Sequence, residues 1–268
     1  YDFFGGLSKG VEKRDKVRTR VIAASISDHM KASDIVFIMG HQFSDLDAVG
    51  SAVGMWSAAT KGVKKPAYIV IDRNATMAMP IVDEIEAAHD PEENIFISEE
   101  EALDMMTQRS LVIVVDTHSP DFVESKELLN EAQRVVVIDH HRMMVKHINN
   151  AVVFYHEPYA SSASEMVSEL VQYIGNTVLS KEEADALLAG IMLDTKNFVL
   201  KSGVRTFEAA AYLRRRGADT VVVKKMFASN IDTYKEKYSL ISTAEVYNGC
   251  AIACTDESTP NVRVAAAQ

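Results

Sequence analysis

The stretch Gly40–Met55, GHQFSDLDAVGSAVGM, sets His41, Asp45 and Asp47 into a single turn directly after an apolar run, Ile35–Met39. One imidazole and two carboxylates are donors for a hard or borderline divalent cation. Comparable side chains follow other apolar segments. Asp116 follows Leu111–Val115, Asp139, His140 and His141 follow Val135–Ile138, and Asp194 ends the helical pattern Lys181–Leu193. Any one of these aspartates reads equally well as a helix cap, and a lone histidine as a hydrogen-bonded structural residue. Together they exceed what caps require. Asp45, Asp47, Asp116 and Asp194 in one pocket would repel one another, since like charges at close range oppose joint ionisation. Two divalent cations would cancel that charge. The oxygen-rich set with imidazoles suits Mn²⁺, with Mg²⁺ or Co²⁺ as alternatives. A structural zinc site is normally four-coordinate and often Cys-rich, and Cys250 and Cys254 lie far along the chain.

The elements that must position these residues are short and alternate in type. Strands are expected at Ile35–Met39, Tyr68–Ile71, Ile95–Ile97, Leu111–Val115, Val135–Ile138 and Val152–Phe154. Their continuous apolar character points to burial on both faces. Helical stretches lie between them; Ser98 with Glu101, and Ser180 with Glu183, are capping-box pairs. Strands alternating with helices give an α/β class: a mostly parallel sheet flanked by helices. In such a sheet ligands bind beyond the carboxyl ends of the strands, where the four polar groups fall. After Ser161 the pattern turns helical, at Ala163–Ile174, Lys181–Leu193, Thr206–Arg216 and Asp232–Ser242. Asn248–Gly249 between apolar segments then signals a type I′ hairpin, the start of a second, smaller domain.

Composition narrows the function classes. The 268 residues are 47% hydrophobic and 25% charged, as in an ordinary globular protein. No run approaches the ~18 apolar residues of a membrane span. The first residue is Tyr1, which reads as a piece of a longer protein. A net charge of −10 argues against general nucleic-acid binding. Basic residues do outnumber acids from Lys196 to Lys237, a pattern of solvated helix faces. If Cys250 and Cys254 share a strand, their Cα atoms stand ~13 Å apart at about 3.3 Å per residue. That exceeds the ~7 Å a disulfide tolerates, so both are expected as reduced core residues of a cytoplasmic domain.

The segments GHQFSDLDAVGS, VVDTH, VIDHHR and IMLDT stand in the order and spacing of the DHH phosphoesterase superfamily. SGVRTFEAAAYLRRRGAD and GGLSKGVEKR resemble the GdpP-type cyclic-di-AMP phosphodiesterases within it. The resemblance implies a DHH domain, a linker helix and a smaller α/β DHHA1 domain. Residues 1–30 would link to a preceding domain, 31–215 form the catalytic domain, 216–242 linker helices, and 243–268 an incomplete DHHA1 domain. It implies two Mn²⁺ ions, one held by His41, Asp45 and Asp116, the other by Asp47, Asp116, His140 and Asp194. Asp116 would bridge them, Asp139 would orient an imidazole, and His141 would face the substrate phosphate. The glycine-rich GGGH-like motif usual in DHHA1 domains is absent from this sequence.

The activity so implied is hydrolysis of cyclic-di-AMP to linear pApA. The expected setting is a cytoplasmic domain of a membrane-anchored parent, with a homodimer as the assembly and no long nucleic acid as partner. Alternatives are a nano-RNase or pAp phosphatase, a RecJ-like exonuclease, a family II inorganic pyrophosphatase, or a catalytically silent nucleotide sensor. Gly50 and Ser51 after Asp47 either offer backbone N–H groups to phosphate or simply pack a helix. Arg142 and Arg205 are candidate phosphate clamps, because guanidinium pairs bidentately with phosphate; Arg205 reads equally as a helix cap. His118, close to Asp116, is a candidate for supporting the ligands.

Overall fold

The apolar runs become strands because branched residues fill them and helices cover both faces. The structure is a computed structural model that describes residues 16–227, 241–248 and 250–253. Its main sheet comprises β1 (Val36–Met39), β2 (Ala67–Val70), β3 (Phe96–Ile97), β4 (Leu111–Val115), β5 (Val135–Asp139) and β6 (Val153–His156). All neighbours pair in parallel, in the order β3-β2-β1-β4-β5-β6. The chain therefore winds outward from β1 to one edge, returns to β4 beside β1, and winds to the other edge. The β1/β4 seam is the switch point at which such sheets open a crevice.

Phe37, Met39, Val112, Val114, Val135 and Val137 form one face of the sheet. They pack against Ala102 of α4 (Glu99–Met105) and Leu128 of α5 (Lys126–Glu131). Alternate residues point the other way, toward the layer of α2 (Leu46–Ser57), α6 (Ala163–Leu170) and α7 (Lys181–Asp194). Every residue of α2 is buried. Small side chains permit this close approach: a Cβ on Gly50 would lie 2.3 Å from the Ala186 carbonyl oxygen of α7. A Cβ on Gly190 would lie 2.2 Å from Ser164 Oγ and 2.6 Å from Asp47 Oδ1. The helix α3 (Met79–Ala88) connects β2 to β3, and a π-helical turn, Ala58–Val63, extends α2.

Several elements differ from expectation. Residues 16–32, placed largely in a linker by the sequence, form α1 (Lys16–Ala32), with Thr19, Ala23, Ile26, Ser27 and Met30 buried. Two of those five are hydroxyl residues, which masks the helical stripe in a hydropathy reading. The helix expected to reach Ile174 ends at Leu170, just before a turn in which Gly175 takes φ +55. The helices α8 (Val204–Arg215) and α9 (Thr220–Met226) complete the first compact unit, Tyr1–Met226. The expected helix Asp232–Ser242 falls almost wholly outside the described residues. In the second unit, Phe227–Gln268, β7 (Glu245–Tyr247) and β8 (Cys250–Ile252) pair antiparallel, with Asn248 at φ 49 between them. Cys250 is exposed rather than in a core, and Cys254 lies outside the described residues. No helix among the described residues is long and apolar enough to cross a membrane.

Candidate metal centre

The donors collect where the switch point predicts. His41 follows β1 and Asp116 follows β4, the two strands that flank the seam. Asp45 caps α2, accepting from the backbone N–H groups of Asp47 and Ala48. Asp47 sits inside the first turn of α2. Its Oδ2 accepts from Ala163 N at 2.7 Å and its Oδ1 from Ser164 N at 2.8 Å. Both donors belong to the first turn of α6, where unsatisfied N–H groups and the helix dipole favour an anion. The sequence reading missed this clasp, although Ser162, capping α6 through Glu165 N, marks the helix start.

Two donor groups result. His41, Asp45 and Asp116 bring one ligand atom each within 4.8 Å of one another, as do Asp47, His140 and Asp194. A third set, Asp116 with His140 and His141, overlaps them. His41 Nδ1 donates to the Gln42 carbonyl at 2.8 Å, which leaves Nε2, 3.5 Å from Asp116 Oδ2, for coordination. His140 Nε2 stands 3.2 Å from Asp194 Oδ2, 3.3 Å from Asp116 Oδ1 and 3.7 Å from Asp47 Oδ2. Despite that crowding, Asp116 Oδ1 and His140 Nε2 are buried without an aligned hydrogen bond. Orphaned buried polar atoms are costly and call for an explanation. A cation among these oxygens and nitrogens supplies one, so the residues fit a metal.

The electrostatics agree. Burial opposes charge on Asp116, but the His140 and His41 imidazoles outweigh it and hold the carboxyl well below its usual range. Burial and the neighbouring Asp116 raise Asp45 to about 6. Burial, Asp116 and Asp194 push Asp47 well above its ordinary value. Burial works against protonated His41, yet Asp116 and Asp45 raise it to about 10; His140 moves up in the same way, through Asp116 and Asp194. In the metal-free site, protons on the imidazoles do the neutralising that cations would do.

Asp139 is fully buried and belongs to none of the three donor groups. Its Oδ1 accepts from His140 N at 2.8 Å and from His141 Nδ1 at 2.8 Å, and its Oδ2 from His118 Nδ1. His118 Nε2 accepts in turn from Met144 N at 2.9 Å, which pins the loop after the triplet. The imidazoles that Asp139 orients are thus His141 and His118. His141 is 54% exposed on its side chain and faces the open side. Arg142 follows it on the same exposed loop.

Two substrate-contact expectations require correction. Ser51 lies deep in α2, fully buried, donating to Ala48 O at 3.1 Å. Because α2 begins at Leu46, its free N–H groups come before Gly50 and Ser51, and both residues serve packing. Arg205 on α8 places Nε and Nη2 on the two carboxylate oxygens of Glu169, each at 2.5 Å. Its fork therefore engages α6 rather than the donor groups.

Residues 35–191 match the DHH family, N-terminal domain. The chain belongs to the DHH family. Over 99% of its length this DHH chain is 41% identical to the cyclic-di-AMP phosphodiesterase PdeA of Listeria monocytogenes. It is 42% identical over 99% of its length to the cyclic-di-AMP phosphodiesterase GdpP of Geobacillus thermodenitrificans. It spans 41% of the length of each of these relatives. The crystal structure of an exopolyphosphatase-related protein from Bacteroides fragilis shares the DHH fold at TM-score 0.67 and 17% identity, covering 85% of this chain and 66% of that one.

Proposed function

We propose that this DHH chain is the catalytic part of a metal-dependent phosphodiesterase that hydrolyses cyclic-di-AMP to pApA, with Mn²⁺ as its ion. The observation that carries the metal chemistry is the pair of donor groups meeting at Asp116 and His140, whose facing atoms have no hydrogen bond. The substrate rests on the 41–42% identity to relatives named cyclic-di-AMP phosphodiesterases.

His41, Asp45 and Asp116 would hold one cation; Asp47, Asp116, His140 and Asp194 would hold the other. Two such cations supply Lewis acidity, neutralising phosphoryl oxygens and lowering the pKa of water. The chain's own groups fix the donors in advance. Gln42 sets the tautomer of His41, the α6 N-terminus clamps Asp47, and Asp139 aims the exposed His141 ring. His141 then meets the substrate phosphate, with Arg142 beside it as a second cationic contact. Arg205 serves the α6–α8 joint. The longer protein is membrane-anchored with this part in the cytoplasm, and it works as a homodimer.

The test is chromatography of products from cyclic-di-AMP, linear pApA, pAp and pyrophosphate, each with Mn²⁺, Mg²⁺ or chelator. The expected result is Mn²⁺-dependent conversion of cyclic-di-AMP to pApA, abolished in Asp116→Asn. Turnover confined to linear nucleotides or pyrophosphate would overturn the substrate assignment.

A further inference from the structure

Directly after Asp194 the chain makes a run of left-handed residues: Lys196 at φ 48, Asn197 at φ 58 and Phe198 at φ 66. This conformation costs conformational energy at any residue with a Cβ, least at Asn and nothing at Gly. Asn197 is therefore at home. Phe198 has a packing reason, since its ring stacks on Phe207 with centroids 5.6 Å apart. Lys196 has neither excuse. Its side chain is exposed and makes no hydrogen bond or ion pair with any described residue. Glycine would hold the same turn without strain, because the turn is closed without the Lys196 side chain: Lys196 N donates to Leu193 O at 3.1 Å, Asn197 N to Met192 O at 2.8 Å and Phe198 N to Thr195 Oγ1 at 2.9 Å.

The location gives the side chain a task. Two trans peptide steps place the Lys196 Cα within about 7.6 Å of that of Asp194, whose Oδ2 lies 3.2 Å from His140 Nε2. Asp194 is 22% exposed, so this border of the donor groups is open. A flexible ammonium there is a point-charge partner for a phosphate oxygen. We infer that Lys196 is a substrate-binding residue, contacting the phosphate of the phosphodiester held at the metal centre. The inference rests on the phosphodiesterase reading above. A competing account exists: a cation beyond the C-terminus of α7 also favours the helix dipole. On that account removing Lys196 weakens the fold and leaves nucleotide affinity alone.

The experiment compares wild type with Lys196→Gly, Lys196→Ala and Lys196→Arg. Four quantities are read: melting temperature, Mn²⁺ stoichiometry, KM with kcat for cyclic-di-AMP, and the dependence of KM on salt. Lys196→Gly is expected to raise the melting temperature, because strain is removed, and to raise KM about tenfold, the loss of one charged contact. Lys196→Ala should raise KM equally without the gain in stability, and Lys196→Arg should stay within about threefold of wild type. Loss of one phosphate contact should also flatten the salt dependence of KM, while Mn²⁺ stoichiometry holds. An unchanged KM and salt dependence in both Lys196→Gly and Lys196→Ala overturns the inference, as does loss of bound Mn²⁺. Failure of the wild type to hydrolyse cyclic-di-AMP is a different result and falls on the proposed function instead.

Discussion

At the residue scale the site is a set of charges that no single protonation state satisfies. His41 is raised to about 10 by Asp116 and Asp45 against the pull of burial, so near neutral pH its ring is protonated in the metal-free protein. A cation must displace that proton before Nε2 can coordinate. His140, shifted the same way, adds to the release. Metal binding should therefore expel at least one proton near neutral pH, and affinity should rise at least about tenfold per pH unit from pH 7 to 9. The effect on the metal-free fold has the opposite direction. A raised imidazole pKa stabilises the folded state fully below its unfolded value near 6.5, and that contribution disappears as pH climbs through about 10. The melting temperatures of loaded and metal-free protein should thus diverge as pH rises. Calorimetry in buffers of different ionisation enthalpy measures the protons directly, and a value of zero at pH 7 would contradict the assignment of His41 as a ligand.

At the element scale the donors depend on how closely three helices approach. Gly190 on α7 leaves room for Ser164 Oγ and Asp47 Oδ1, both nearer than 3 Å to where a Cβ would stand. Gly190→Ala should displace Asp47 from the α6 N-terminus, costing about 1–3 kcal/mol in urea unfolding and weakening metal affinity along with it. Normal Mn²⁺ affinity in that variant would mean that Asp47 is not positioned by this crossing. Arg205→Ala should separate the two properties the other way. It deprives Glu169 of a largely buried pair, at about 3 kcal/mol, and leaves the metal stoichiometry unchanged. If stability held while nucleotide affinity fell, Arg205 would be the phosphate clamp that its composition first suggested. Arg205 also shows where sequence reading stops. Arginine chemistry is legible, but whether its fork meets phosphate or Glu169 depends on helix packing that no local pattern encodes. The strands were legible because burial on both faces writes continuous apolar runs. The capping boxes at Ser98 and Ser180 were legible because they are local hydrogen-bond chemistry, and both form. The helix α1 was not, since small and hydroxyl residues fill much of its buried stripe.

At the scale of the whole molecule, the ligands come from segments distant in sequence that the assembled sheet and α7 bring together. Binding energy is then folding energy. Each occupied site at one hundred times its Kd should add about 2.7 kcal/mol, or roughly 5–10 °C in the melting temperature of a domain this size. A thermal scan with Mn²⁺ and with chelator reads this; identical curves would show that the donor groups do not bind metal in the folded protein. The same strand order has a temporal consequence. His41 leaves the ribosome long before Asp194, by roughly 8–30 s at about 5–20 residues per second. During that interval β1, β2 and β3 can pair, but the β4 neighbour that brings Asp116 to β1 arrives later and α7 later still. A nascent chain therefore carries scattered, weak ligands and no assembled centre, and it draws metal from the cell only after α7, which carries Asp194, has been made.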